Sequence, residues 1–207
     1  MTNNVIEVNG LNIWVGGDIT PPRHIVKNVS FSLQRGQCLA LVGESGSGKS
    51  VTARALVGLA GERLKVQAET LALQGESLLG RSDAWWQQVR GSKVGFILQD
   101  ALVSLDPLRP VGQEIAEALA LHGWGTPASR QQKVHALLED VGVPQAALRA
   151  SQRPGELSGG LRQRALIASA IAMHPEVIIA DEPTTALDVT VQAQILACSS
   201  SYSNSWG

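Results

Sequence analysis

Gly43-Glu44-Ser45-Gly46-Ser47-Gly48-Lys49-Ser50 is the stretch whose reading decides the fold. It fills every fixed position of the pattern G-x-x-x-x-G-K-[ST], whose backbone N–H groups cradle phosphate oxygens. Cys38-Leu39-Ala40-Leu41-Val42 before it is a short apolar run that predicts a buried strand. Residues 51–59 after it predict a helix with Val51, Ala55, Leu56 and Leu59 on one face. The chemistry needs that order. Glycines let the backbone turn inward where side chains would block a phosphate. A following helix adds unpaired N–H groups and the positive end of a dipole. Lys49 is placed to neutralise terminal phosphates, and the Ser50 hydroxyl to hold Mg²⁺. The alternative is a glycine-rich turn with a surface lysine, and the strand and helix around it speak against that. By itself the loop says only that a nucleoside triphosphate is bound.

Outward from the loop, bulk properties narrow the class. The chain has 207 residues, enough for one domain with a substantial core and a small subdomain. A formal net charge of −1 gives no basic field for a nucleic-acid partner. Hydrophobic residues make up 44% and aromatics only 4%, which suits an aliphatic α/β core. The two cysteines, Cys38 and Cys198, have no metal spacing, and a reduced cytosolic protein is the economical expectation. The start of the chain carries no secretory pattern. The run 165–173 is far too short to cross a bilayer, so membrane association is expected to come through a partner.

The N-terminal part predicts sheet. Residues 5–8 and 11–14 are short β-prone runs, and Val29, Phe31 and Leu33 alternate with serines. The stretch 16–23 holds Gly-Gly and Pro-Pro and predicts a loop. Residues 34–37 predict a hairpin-like turn into the Cys38 strand. Trp14 has two readings, a half-buried aromatic on a small sheet or a stacking platform for a nucleobase. The stretch 62–90 is mixed, and the adjacent Trp85 and Trp86 are expected to serve packing or partner contact.

Val94 to Leu98 predicts another strand, ending at Gln99. Pro110 sits well at a helix start, with Val111, Ile115, Ala118 and Leu119 on one face. Val134, Leu137, Leu138 and Val141 make a second helical stripe, stopped by Gly142 and Pro144. Leu157-Ser158-Gly159-Gly160 is a glycine turn opening a helix over 161–173. It is either a serine-capped helix or an anion site without a lysine. Val177-Ile178-Ile179-Ala180 predicts a buried strand delivering Asp181 and Glu182 at its C-terminal end. There Asp181 can orient Mg²⁺, and Glu182 can act as general base on a water in line with the terminal phosphate.

Together GESGSGKS at 43–50, Gln99 at a strand end, LSGGLRQR at 157–164, VIIADEP at 177–183 and ALD at 186–188 resemble the ATP-binding cassette (ABC) ATPases, over roughly residues 5–196. ILQDALVSLDPL at 97–108 and DEPTTALDVTVQAQIL at 181–196 resemble the peptide and nickel importer subfamily more narrowly, with Ala101 standing where that subfamily usually has proline. The resemblance implies an α/β fold. Its P-loop NTPase core, mostly parallel sheet flanked by helices, would carry an N-terminal antiparallel β subdomain and a helical subdomain. The expected division is 1–98 (core with antiparallel part and P-loop), 99–162 (helical subdomain), 163–196 (remainder of the core) and 197–207 (polar tail).

The resemblance also implies roles. Gly43, Glu44, Ser45, Gly46, Ser47, Gly48, Lys49 and Ser50 bind the phosphates of ATP. Ser50, Gln99 and Asp181 serve Mg²⁺, and Glu182 is the catalytic base. Trp14 is the candidate for stacking the adenine. Ser158, Gly159, Gly160 and Asp188 serve the ATP of a second cassette, a homo- or heterodimer partner. Gln99 and the helical segment face transmembrane permease subunits, placing the chain peripherally at the cytoplasmic face of the inner membrane. The expected activity is ATP hydrolysis energising import of peptides or nickel. The family also has a later strand, expected after Leu196 and ending in a histidine, and His24, His122, His135 and His174 all precede Asp181. The serine-rich stretch 197–207 does not resemble the family, and without that strand and histidine the expectation is ATP binding with impaired turnover. The alternative function is a nucleotide-binding module with little or no ATPase activity.

Overall fold

The computed structural model describes residues 4–16, 21–61, 63–98 and 104–181. Two compact units divide the chain, Met1–Gln87 and Gln88–Gly207.

The first unit is built on an antiparallel sheet. The two β-prone runs near the start form one continuous strand, β1 (Asn4–Val15), carried through Gly10 at φ +61. β2 (Arg23–Gln34) pairs with it along its length. The other edge of β1 is shared. β3 (Leu64–Gln67) pairs with residues 12–15, and β4 (Thr70–Leu73) with residues 6–9. β5 (Glu76–Ser77) pairs with β4. These three short strands fall in the stretch whose mixed composition gave no prediction. Val5, Ile6, Val8, Leu11 and Ile13 of β1 are buried with Val26, Leu71 and Leu73, so one face of the sheet carries the core of this unit. The expected alternation at Val29, Phe31 and Leu33 is present as half-buried positions between exposed ones.

Two expectations next to the glycine loop are corrected. Residues 37–44 are not a strand, and Cys38 is exposed. Val42 is 89% exposed. The apolar run meets no ladder partner among the described strands, and a strand's backbone groups need one. The turn at residues 35–36 does form, closed by Gln37 N donating to Gln34 O at 3.1 Å, but no hairpin follows. The helix after the loop, α1 (Lys49–Ala55), is also shorter than predicted. Its buried side is Thr52, Ala53 and Ala55, continued by Leu56 and Val57, while Val51 is half-buried and Leu59 exposed. The chain turns away at Gly58, at φ +65, where a Cβ would collide with the Trp86 ring. Trp86, on α2 (Asp83–Val89), is therefore a packing residue. Trp85 meets it edge-on at 5.0 Å and lies under the Arg81 guanidinium at 4.7 Å.

The second unit contains a parallel pair, β6 (Val94–Ile97) and β7 (Val177–Ala180). Among the described residues its helices are α3 (Val111–Leu121), α4 (Pro127–Asp140), α5 (Ala146–Ala150) and α6 (Gly159–Ile171), with a 3₁₀ turn at Pro154–Glu156. The predicted helical stripes are buried at Val111, Ile115 and Leu119 on α3, where Ala118 is half-buried, and at Val134, Leu137, Leu138 and Val141 on and just after α4. Pro110 stands at the N-cap of α3, where its missing N–H costs nothing. Thr126 and Ser129 form a reciprocal cap at the start of α4. α6 closes the core with Ala165, Leu166, Ile167, Ala168 and Ile171, and packs on β6.

Candidate functional site

The loop at residues 43–50 is shaped by contacts that only small residues allow. Gly46 and Gly48 have φ of +79 and +95, a region that L side chains avoid. Ser47 N donates to Glu44 O at 3.1 Å, and the Ser47 Oγ would lie 2.7 Å from a Cβ on Gly43. Gly48 is also the N-cap of α1 and has no side-chain cap bond. A Cβ there would lie 2.9 Å from Val26 Cγ2 and 3.2 Å from Ile25 Cγ2, so β2 fixes the exit of the loop. The Lys49 ammonium reaches back over the loop and donates to Gly43 O at 2.9 Å and to Glu44 O at 3.0 Å. Two carbonyl oxygens thus hold a cation at the loop, on a half-buried side chain. Ser50, next along α1, is half-buried as well.

Trp14 lies in the same unit, and neither of its sequence readings is complete. It is half-buried on the sheet, as packing alone would have it. Its register partner on β2 is His24, and the two rings stack with centroids 4.4 Å apart and planes 14° apart. One face of the indole is therefore covered. Ile25 and Val26, which follow His24, are the residues against Gly48. Trp14 and the glycine loop are thus joined through three consecutive residues of β2. The stack of His24 on Trp14 is not legible in the sequence, because stacking between strands depends on register, which the sequence does not display. The one sequence cue is that His24 follows the Pro21-Pro22 turn by two residues.

In the second unit, Ser158 caps α6. Its Oγ accepts from Leu161 N at 3.3 Å, so the serine-capped reading is observed. Gly159 and Gly160 occupy the first turn and are exposed. The basic character of the helix is partly structural. Arg164 Nη1 donates to Val141 O at 3.1 Å and Gly142 O at 2.7 Å, tying α6 to the C-terminal end of α4. Gln163 is buried, a polar residue that the apolar pattern of α6 concealed. β7 is less buried than predicted, with Ile178 and Ile179 half-buried and Ala180 exposed. It delivers Asp181 as expected, 4% exposed, with Asp181 N donating to Ile97 O at 3.0 Å at the end of the parallel pair. Gln99, Glu182 and Asp188 lie outside the described residues, as do the ALD segment and the stretch 197–207.

Residues 26–185 match the ABC transporter family. The chain belongs to that family. Among its ABC relatives, the dipeptide transport ATP-binding protein DppD of Lactococcus lactis subsp. cremoris (strain MG1363) is 44% identical over 196 residues. That alignment covers 93% of this chain and 55% of the relative. The oligopeptide transport ATP-binding protein OppD of the same subspecies (strain SK11) is 47% identical over 171 residues, covering 83% of this chain and 51% of the relative. The chain therefore spans about half the length of these relatives. A solved ABC structure is similar as well, the dimeric post-hydrolysis state of the ATP-binding cassette MJ0796 bound to ADP and Pi. It has a TM-score of 0.80 and 25% identity, over 92% of this chain and 79% of that one. The α/β P-loop NTPase expectation and the ABC resemblance are thus both borne out. No helix among the described residues is long and apolar enough to cross a membrane.

Proposed function

We propose that this chain is the ATP-binding and ATP-hydrolysing subunit of an ABC importer of peptides. The observation that carries the reading is the loop 43–50, with its positive-φ glycines and the Lys49 ammonium held over it by Gly43 O and Glu44 O. Terminal phosphate oxygens are stronger acceptors than backbone carbonyls, so a bound triphosphate would draw Lys49 from those oxygens. The relatives named for dipeptide and oligopeptide transport support peptides over nickel as the cargo.

The donors also suit Mg²⁺. The Ser50 hydroxyl and the Asp181 carboxylate offer the hard oxygen ligands that this ion prefers, with Gln99 as a third. When bound, Mg²⁺ would supply positive charge that offsets the charge developing on the transferred phosphate. The chain's own part is positioning. Lys49 and the loop N–H groups would hold the triphosphate, and the indole of Trp14 the base. Glu182 would take a proton from the water attacking the terminal phosphorus, with ADP as leaving group. Ser158, Gly159, Gly160 and Asp188 would serve the nucleotide of a second cassette, identical or paralogous. Permease subunits would hold the pair at the cytoplasmic face of the inner membrane. The division by motif at 98, 162 and 196 belongs to the same reading.

The test is calorimetric MgATP binding beside phosphate release, on the full chain with its partner cassette and permease. The expected result is hydrolysis that Glu182→Gln abolishes while ATP binding persists. Absence of ATP binding overturns the reading. Binding without phosphate release from the native chain replaces it with the alternative, a nucleotide-binding module of little turnover.

A further inference from the structure

The contact between Trp14 and His24 has a geometry that packing alone does not explain. Along β1 the register advances one residue, from Ile13 to Trp14, while on β2 it runs two, from Val26 to His24. Ile25 is the extra residue of a β-bulge, a device that re-aims a side chain. Here it brings the imidazole flat onto the indole.

The imidazole is also held in its plane. His24 Nε2 lies 2.9 Å from Asn12 Oδ1. That oxygen accepts a second bond from Asn28 N at 3.0 Å, and Asn12 Nδ2 donates to Gly10 O at 2.8 Å. A backbone N–H only donates and a carbonyl only accepts, so the Asn12 amide has one orientation. Nε2 of His24 must then be the protonated nitrogen. One backbone N–H and one backbone carbonyl thus fix Asn12, Asn12 fixes His24, and His24 fixes the plane of Trp14.

We infer that His24 is a positioning residue for the nucleobase, holding Trp14 so that only one indole face is open to stack the base. This rests on the reading of Trp14 as the base platform. Rings with centroids 4.4 Å apart leave no room for a base between them, so the base takes the face away from His24. On that side the register neighbour of Trp14 is Lys65 on β3, an exposed residue. The bulge serves the phosphate end too, because Ile25 and Val26 abut Gly48. Base and phosphate subsites are therefore spaced by one irregularity of β2.

The experiment compares Kd values for MgATP and for magnesium tripolyphosphate, which has no base, on the full chain by calorimetry. Trp14→Ala is expected to weaken ATP about tenfold or more and leave tripolyphosphate unchanged. His24→Gln, which keeps a polar group but no ring, is expected to weaken ATP about threefold to tenfold, again sparing tripolyphosphate. His24→Phe, which keeps the flat ring and loses the bond to Asn12, is expected to stay within about twofold of the native value. Should His24→Gln not fold, His24→Leu takes its place with the same expectation. If Trp14→Ala spares ATP, the platform reading falls and the inference with it. If Trp14→Ala weakens ATP but the ringless His24 variants do not, the platform stands and the role of His24 is wrong. A His24→Phe loss as deep as that of the ringless variants also overturns it, since a flat ring against the indole would then not be what holds Trp14.

Discussion

The Cβ that Gly48 lacks would lie 2.9 Å from Cγ2 of Val26, nearer than side-chain packing tolerates. The last glycine of the phosphate loop is thus required twice, by its φ of +95 and by the strand pressed against it. Gly48→Ala should strain the backbone by about 1–2 kcal/mol. That corresponds to a drop of about 2–8 °C in melting temperature for a chain of this size. ATP affinity should fall with it. Adding Val26→Ala removes the collision but not the strain, so the double variant should recover part of the loss. A double-mutant cycle on melting temperature that shows no coupling between the two sites would refute the contact.

Lys49 is held by two carbonyl oxygens of its own loop, at 2.9 and 3.0 Å. These bonds are exposed and add little to folding. Lys49→Met should therefore leave the melting temperature within about 1 °C, on the scale of a neutral surface change. MgATP binding should weaken at least about tenfold, the order lost with one charge-assisted bond. A variant that melts far below the native protein would show a structural role instead.

Ser158 accepts from Leu161 N at the start of α6. Ser158→Ala should cost about 1 kcal/mol through loss of that cap, and Ser158→Asp should restore it. If the side chain also serves a neighbouring cassette's nucleotide, Ser158→Asp should recover stability without recovering hydrolysis in the assembled pair. Chemical denaturation and phosphate release, measured on the same preparations, separate the two roles.

His174 titrates below its ordinary 6.5, first through partial burial and then through Lys133, with Asp140 pulling the other way. Lys133 Nζ lies 2.9 Å from His174 Nε2, so the neutral ring accepts from the ammonium. The folded form then binds this proton less readily than the unfolded chain. Its contribution to stability is full above about 6.5 and declines as pH falls from there towards the depressed folded value. His174→Asn tolerates the left-handed backbone at φ +52 and carries no titratable ring, so it should flatten stability against pH over that interval. Lys133→Met should raise the His174 pKa, read by NMR titration. A stability profile unchanged by His174→Asn would rule the effect out.

How much was legible depends on how local each signal was. The phosphate loop, the two buried stripes of α3 and α4, the serine-capped start of α6 and the strand delivering Asp181 all follow from neighbours in sequence. Their cues are glycine spacing, a period near 3.6 and capping chemistry, which act within one or two turns. The failures were of another kind. Residues 38–42 have strand composition but find no ladder among the described strands, because a strand is stabilised by its neighbour rather than by itself. β3 alternates Leu64 and Val66 with Lys65 and Gln67; it and β4 pair along the open edge of β1, and β5 then pairs with β4.

What the sequence by itself determined, then, is the chemistry: a phosphate loop with its lysine and hydroxyl, a capped glycine turn and a carboxylate at a strand end. Those choices are made by residue type at fixed spacing, and no folding partner is needed to read them. What only the tertiary structure decided is orientation. The stacking of His24 on Trp14, the fixing of Asn12 by backbone groups and the closure of β2 on Gly48 all depend on strand register and on one extra residue at Ile25. A register is a relation between distant segments, set by burial of one sheet face and by where the ladder breaks.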